Sequence, residues 1–223
     1  MNLYHKELDF YIQFEENRGN VLVLENPALF SSIVRGLWCQ TNGQEGIFSL
    51  SDGDKEEKIS KEVDLVFNPF SLKVNNKKVI SYLYKELDDV VQNQFWEQKE
   101  LLNTEIIAFL EQVAEKIAYR INYELQLSIT ELMKVYNVRI EEENETLLDS
   151  VIDYIKIMSG FCGIRLFVFL NLRQYFYEEE IAELYKVAFY EKINLLDIEC
   201  TGKSFMAFEK VIVLDKDGCI IEF

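Results

Sequence analysis

The chain has 223 residues, of which 49% are hydrophobic, and it contains 16 Phe and 12 Tyr but only 2 Pro. This composition supports a sizeable folded core and leaves little room for linkers. No apolar run approaches the ~20 residues that span a bilayer, and the N-terminus lacks the apolar segment of a signal peptide, so we expect a cytoplasmic protein. The formal net charge of -16 at pH 7 argues against a surface that is basic throughout, although a single basic face stays compatible with it.

Residues that often carry metal or nucleophilic chemistry are sparse. His5 is the only histidine and stands beside the N-terminus, which predicts a solvated side chain and argues against a histidine-based triad or a zinc enzyme. The cysteines form no C-x-x-C pair, which predicts buried, reduced thiols rather than a zinc site or a disulfide framework. They are Cys39, Cys162, Cys200 and Cys219.

The first third of the chain reads as the start of an α/β fold. Val21 to Leu24 form a short apolar run between turn residues, which predicts a buried strand, and "ALFSSIVRGLW" then has helical spacing. "GIFSL" and "VDLVFNPF" are further strand candidates. The charged segment "SDGDKEEKISKE" between them predicts a solvated loop.

Helical periodicity dominates from Lys77 onwards. Apolar residues at helical spacing, continuing to Ile117 and Ile121, predict two antiparallel helices that meet near "FWEQKE". A third helix begins at Ser128, where "SITE" has the pattern of a capping box with Glu131, and a fourth closes at "SGFCG".

The α/β pattern resumes after Gly163. "IRLFVFL" is apolar on both faces, as strands inside parallel sheets are, and a helix over "YEEEIAELYKVAFYEK" followed by the strand "INLLDIE" completes a right-handed βαβ unit. The last strands are joined by a β-turn with Gly218 at positive φ, which we favour over a calcium loop at Asp215 and Asp217. We therefore predict an α/β head, residues 1–76 and 147–223, interrupted by an all-helical insertion over residues 77–146.

Gly202, Lys203 and Ser204 resemble the end of a phosphate-binding loop, G-x-x-x-x-G-K-[ST]. Asp197 occupies the position of the leading glycine, where a carboxylate would repel phosphate. The sequence after Ser204 is a short mixed stretch rather than a helix, so we favour an ordinary exposed turn. A nucleotide-hydrolysing enzyme nevertheless stays open as an alternative.

Several strings, in their order and spacing, identify a family that the chain resembles over about residues 7–200. They are "VLVLEN", "FSSIV", "FSLKVNNKKVISYLYKELDDVVQ", "ITELMKVYNVRIE", "TLLDSVIDYIKI", "IRLFVFLN", "EEEIAELY" and "INLLDIE". The chain resembles the small non-catalytic protein of type II-A CRISPR adaptation modules, the fourth Cas protein of those loci.

The resemblance implies a degenerate P-loop-NTPase-like α/β head with an inserted helical leg and without enzymatic activity. Such proteins form homotetrameric rings that thread double-stranded DNA from its ends through a basic channel, and calcium ions steady the ring. With the adaptation integrase and the RNA-guided effector nuclease they support spacer acquisition in antiviral defence. A ring would also reconcile the acidic total charge with a basic inner face.

The resemblance places DNA-backbone contacts at Lys134 and Arg139, within "LMKVYNVRIE", with Lys73, Lys77 and Lys78 as further candidates. Solvated charges on a helical bundle are the alternative for the basic minority of the insertion, which is Lys116, Arg120, Lys134 and Arg139. The corresponding alternative function is an acidic protein-interaction module without DNA affinity.

The family's calcium site is an acid-rich link between leg helices, which here is "NYELQLSITEL". The link is shorter than the family pattern; it keeps Glu124 as a candidate ligand and has Gln126 where a carboxylate is expected. Calcium takes about six to eight oxygen ligands. We therefore predict an oligomer that depends less on calcium than the family pattern implies.

Overall fold

The computed structural model describes residues 1–8, 10–142, 145–202 and 205–222. It divides the chain into two compact units, which we call the head unit, Met1–Val74 with Glu142–Phe223, and the helical unit, Asn75–Glu141. The fold is mixed α/β: both sheets lie in the head unit, and the helical unit interrupts it in sequence.

A six-stranded sheet forms the centre of the head unit, in the order β10-β9-β3-β8-β7-β6. Its strands are β3 (Gly19–Leu24), β6 (Val63–Val66), β7 (Leu166–Leu170), β8 (Asn194–Glu199), β9 (Glu209–Leu214) and β10 (Ile220–Glu222). All neighbouring pairs are parallel except β9 and β10, which form the predicted C-terminal hairpin. Its turn has Gly218 at φ 82°, and Asp215 Oδ1 accepts hydrogen bonds from the backbone N–H groups of Asp217 and Cys219.

Both faces of the central strand β3 are buried, which explains its unbroken apolar run. Leu22 and Leu24 join a core that also contains Ile33 of helix α1 (Pro27–Thr41). On the opposite face Val21 and Val23 pack with Val211 of β9. The parallel pairs β6–β7, β7–β8 and β8–β3 place the end of each strand at one edge of the sheet.

A second, antiparallel sheet of the head has the order β2-β1-β4-β5. Its strands are β1 (Asn2–His5), β2 (Phe10–Gln13), β4 (Phe48–Asp52) and β5 (Lys55–Glu57). Two predictions fail here. The charged segment, expected to be a loop, contains β5 and the short helix α2 (Ile59–Glu62). His5, expected at the surface, is only 2% exposed, because β1 pairs with both β2 and β4.

One helix of the head, α6 (Leu147–Cys162), begins and ends with ordinary capping groups. The Thr146 hydroxyl accepts a hydrogen bond from the Asp149 N–H at 3.1 Å, and Gly163 ends the helix at φ 69°. Helix α7 (Glu178–Tyr190) connects the parallel strands β7 and β8, so the predicted βαβ unit is confirmed.

The cysteines form no disulfide, but the expectation that they are buried is wrong: Cys200 and Cys219 are exposed and the other two are partly exposed.

The helical unit contains α3 (Lys77–Gln94), α4 (Trp96–Ala114) and α5 (Ile129–Val135). Helix α4 ends before Ile117 and Ile121, so the apolar spacing overestimated its length. One of the two hydrogen bonds of the predicted capping box forms: the Ser128 hydroxyl accepts from the Glu131 N–H at 3.3 Å. The Glu131 carboxylate instead forms an ion pair with Lys134. Within the described ranges, no helix is both long enough and apolar enough to cross a membrane.

Candidate nucleic-acid interface

A groove of about 620 Å³ lies within the helical unit, between α3 and α5. Its cationic side chains are Lys77 and Lys85 on α3 and Lys134 on α5. Neutral polar side chains between them are Ser81, Thr130 and Asn137. Asp88 of α3 also lines the groove, so the lining holds three lysines and one carboxylate and is net positive in a chain whose formal net charge is -16.

Local sequence signals position the α3 wall of this groove. The Asn76 side chain accepts hydrogen bonds from the N–H groups of Lys78 and Val79 at 3.0 and 3.1 Å, so the helix begins at Lys77. Lys77 and Lys85 are exposed. Within the parts of the chain that the structure describes, neither of these lysines forms an ion pair.

Buried hydrogen bonds hold α5 and the segment after it against α3. The Tyr84 hydroxyl, on a side chain only 7% exposed, lies 3.1 Å from the carbonyl oxygen of Val138 and 3.4 Å from that of Met133. Asn75 donates to the carbonyl oxygen of Ile140 at 2.9 Å and accepts from its N–H at 3.0 Å. These contacts shape the groove within a single copy of the chain.

The two residues predicted first as DNA contacts have different surroundings. Lys134 lies in the groove, where its Nζ is 2.6 Å from Glu131 Oε1. Arg139 is exposed, does not line the groove, and donates from Nε to Asn137 Oδ1 at 2.9 Å. The structure therefore brings Lys134 together with Lys77, but not with Arg139.

The remaining predicted site residues lie elsewhere. Lys78 is exposed on the first turn of α3 outside the groove lining, and Lys73 is exposed in the head unit. Glu124 is exposed, and the described residues hold no group of three or more His, Cys, Asp or Glu side chains able to bind a metal ion. The predicted role of calcium stays a prediction. Sequence reasoning missed Lys85, since no local signal marks which face of α3 would meet α5.

The segment tested for phosphate binding has a different setting from a nucleotide loop. Lys203 and Ser204 lie outside the described residues. The connection from β8 to β9 spans residues 200–208 and contains no helix in its described part. Asp197 is 1% exposed, and its Oδ1 accepts from the Leu172 N–H at 3.2 Å.

At the centre of the sheet, the strand-to-helix turn is the one between β3 and α1. There the Asn26 Oδ1 accepts from the N–H groups of Ala28 and Leu29 at 2.9 and 3.5 Å. These donors are ones that a phosphate loop would offer to an anion. Asn26 therefore occupies with its own side chain the place of such a ligand.

A buried ion cluster lies beside the β8–β9 connection. Arg173, whose side chain is 5% exposed, pairs with Glu209, and its Nε is 3.6 Å from Asp197 Oδ2. Glu199 Oε1 accepts from the Arg173 N–H at 2.9 Å. Burial, with the neighbouring Glu199 charge, raises the pKa of the Asp197 carboxyl well above its ordinary value. The cluster fills the region with mutually engaged charges rather than with an open cradle.

Together these features define an α/β protein with an inserted helical unit whose groove is lined by three lysines. Residues 40–218 match the family model described as CRISPR-associated protein (Cas_Csn2), so the chain belongs to this family. The curated CRISPR-associated protein Csn2 of Streptococcus agalactiae is 26% identical over 190 residues, which cover 81% of this chain and 79% of that protein.

Proposed function

We propose that this chain is a non-enzymatic protein that binds double-stranded DNA as a homotetrameric ring and supports spacer acquisition in CRISPR adaptation. The observation that carries the proposal is the convergence of Lys77, Lys85 and Lys134 on one groove of an acidic chain. Binding to the DNA backbone requires such clustered cations, because affinity comes from neutralised phosphates.

The apolar surface of α4 supports the proposed ring. No residue of this helix is buried within one copy, and Leu101 and Phe109 are each 63% exposed. Large apolar side chains exposed along one helix are typical of an interaction site. In a symmetric tetramer held together through α4, each of the four copies would contribute its lysine groove to one central opening.

The proposed head is P-loop-like in architecture but does not bind nucleotide, and the Asn26 side chain, which caps α1 at the first strand-to-helix turn, supports the second point. The adaptation integrase and the RNA-guided effector nuclease are the proposed partners of the ring. Calcium at Glu124 would need further oxygen ligands, from backbone carbonyl groups or from a neighbouring copy of the chain.

The proposal is tested by measuring affinity for a linear duplex and for the same duplex in covalently closed form. A closed ring loads over an end, so linear DNA binds and the closed circle binds poorly, without sequence preference. Equal affinity for both forms would remove the threading mechanism, and no affinity for either would leave an acidic interaction module. Tight binding of a fluorescent ATP analogue, abolished by Lys203→Ala, would instead restore the nucleotide-binding alternative.

Comparing the double variant, in which Lys134 and Arg139 are both changed to Glu, with each single variant shows which residue contacts DNA. Only Lys134 lines the groove, so Lys134→Glu alone should reproduce most of the loss of affinity of the double variant. A loss that follows Arg139→Glu instead would move the DNA contact outside the groove.

A further inference from the structure

The cations of the groove differ in whether they are already neutralised. Lys134 Nζ lies 2.6 Å from Glu131 Oε1, on the same helix. Lys77 and Lys85, on the facing wall, have no ion-pair partner among the described residues. An incoming phosphate therefore finds two lysines without an ion pair, on a wall that also carries Asp88, and has to compete with Glu131 for the third lysine.

The spacing of the lysines suits a polyanion rather than a small ion. Lys77 and Lys85 are eight residues apart on α3, which corresponds to about 12 Å along the helix axis. One DNA strand has a phosphate every ~3.4 Å along the duplex axis, so this row extends over several phosphates. Ser81 lies between the two lysines, and Thr130 lies on the α5 side, and both offer neutral hydroxyl groups.

The described lining of the groove offers no open aromatic face on which a base could stack. The aromatic side chain in its lining is Tyr84, which is 7% exposed and whose hydroxyl is directed at backbone carbonyl oxygens of Val138 and Met133. Base stacking needs an exposed ring face. The groove therefore offers lysines for phosphate contacts and no platform for stacked bases.

We propose that the α3–α5 groove binds the backbone of one DNA strand, that Lys85 is a phosphate contact in it, and that Glu131 competes with the phosphate for Lys134. This inference rests on the proposed function and adds to it one contact residue and one residue that limits affinity. With Glu131 present, the affinity of the groove for DNA is lower than the three lysines alone would give.

The test measures affinity for a linear duplex over a series of salt concentrations. Lys85→Ala leaves one phosphate per occupied groove without its cation, so log affinity falls less steeply with log salt, by ~0.9 for each phosphate that is no longer neutralised. Lys116→Ala is the matched control, because Lys116 is an exposed lysine of the same unit outside the groove lining. Glu131→Gln keeps the backbone N–H that caps α5 and frees Lys134, so affinity at low salt rises roughly two- to fivefold, the factor expected for one exposed ion pair.

The outcomes separate this inference from the proposed function. Wild-type protein that does not bind the duplex overturns the proposed function and this inference with it. If the wild type binds but Lys85→Ala has the same salt dependence as Lys116→Ala, Lys85 is not a contact and the inference alone fails. Unchanged or weaker binding by Glu131→Gln overturns the competition. Circular dichroism and light scattering of each variant show that fold and oligomeric state are retained.

Discussion

His5 is 2% exposed and lies between two aromatic rings of the antiparallel sheet. Its ring centroid is 5.4 Å from that of Phe10, in a stacked arrangement, and 4.8 Å from that of Phe48, edge to face. Its Nδ1 accepts a hydrogen bond from the Leu8 N–H at 3.1 Å, which requires an unprotonated nitrogen at that position. Burial lowers the pKa of His5 below its ordinary value.

We predict that the free energy of unfolding decreases as the pH falls through about 6.5, the ordinary pKa of histidine. Since the folded pKa is lowered, the unfolded chain binds the proton more tightly, and the contribution of neutral His5 is present above that pH and lost below it. His5 is the only histidine, so His5→Phe, which keeps an aromatic ring in place, should flatten this part of the profile. Denaturant unfolding between pH 8 and pH 5 measures it, and an equally steep profile in the variant would contradict the assignment.

The buried ion cluster predicts opposite effects for two neighbouring carboxyl substitutions. Asp197→Asn keeps the oxygen that accepts from the Leu172 N–H and removes a buried charge whose pKa is raised, so stability at pH 7 is unchanged or higher. A carboxyl group whose pKa is raised in the folded state stabilises the protein at low pH, and this stabilisation is lost as the pH rises. Removing the group therefore does not lower stability at pH 7. Glu209→Gln leaves Arg173 without its closest carboxylate and should cost about 3 kcal/mol. Urea unfolding at pH 7 compares the pair; a larger loss for Asp197→Asn would be inconsistent with the cluster described.

Packing between elements depends on close approach at Gly19, the first residue of β3. A Cβ at this position would lie 2.5 Å from Cζ of Tyr185 on α7, and Tyr185 is itself 1% exposed and packed near Phe189 and Phe208. The strand and helix can pack at this distance only because residue 19 has no side chain.

Gly19→Ala is therefore expected to lower the free energy of unfolding by about 1 to 3 kcal/mol, the usual cost of overpacking. Gly160→Ala is the control: a Cβ there meets nothing within 4 Å, and Ala favours a helix over Gly by about 1 kcal/mol, so this variant gains stability. Thermal unfolding of both variants checks the contrast. Equal effects would mean that the α7–β3 contact adjusts freely.

Elements with strong local signals could be predicted from the sequence, whereas those formed by distant pairing could not. The apolar runs of β3, β7 and β8 and the periodic helices α1, α3, α6 and α7 are recognisable because burial on defined faces requires them. Strands β1 and β5 have polar or charged sequences, "NLYH" and "KEE", and become strands by pairing with β4. The lysine groove could be predicted only in part for the same reason: Lys134 and Lys77 are recognisable singly, while their proximity to Lys85 depends on how α3 packs on α5.

At the scale of the whole molecule, the helical unit is less complete than the head as a single copy. The head buries the residues of β3 and β7 entirely, whereas α4 buries none of its 19 residues. Leu101, Phe109 and Val113 expose 63%, 63% and 44% of their surface. Covering such side chains contributes about 1.5 to 3 kcal/mol for each one fully buried, which is a substantial driving force when repeated in every copy of a symmetric oligomer.

We therefore predict that the oligomer depends on the apolar surface of α4 and little on calcium. Leu101→Ser with Phe109→Ser should reduce the mass in solution from that of a tetramer to that of smaller species, because each change removes apolar area from the contact. Glu111→Ser, at an exposed position on another side of the same helix, is the matched control and should leave the mass unchanged. Multi-angle light scattering with and without a calcium chelator makes the measurement. A wild-type monomer would rule out the ring, while a tetramer that dissociates on chelation would show that carboxylates contributed by different copies, with Glu124 as the first candidate, hold the assembly together.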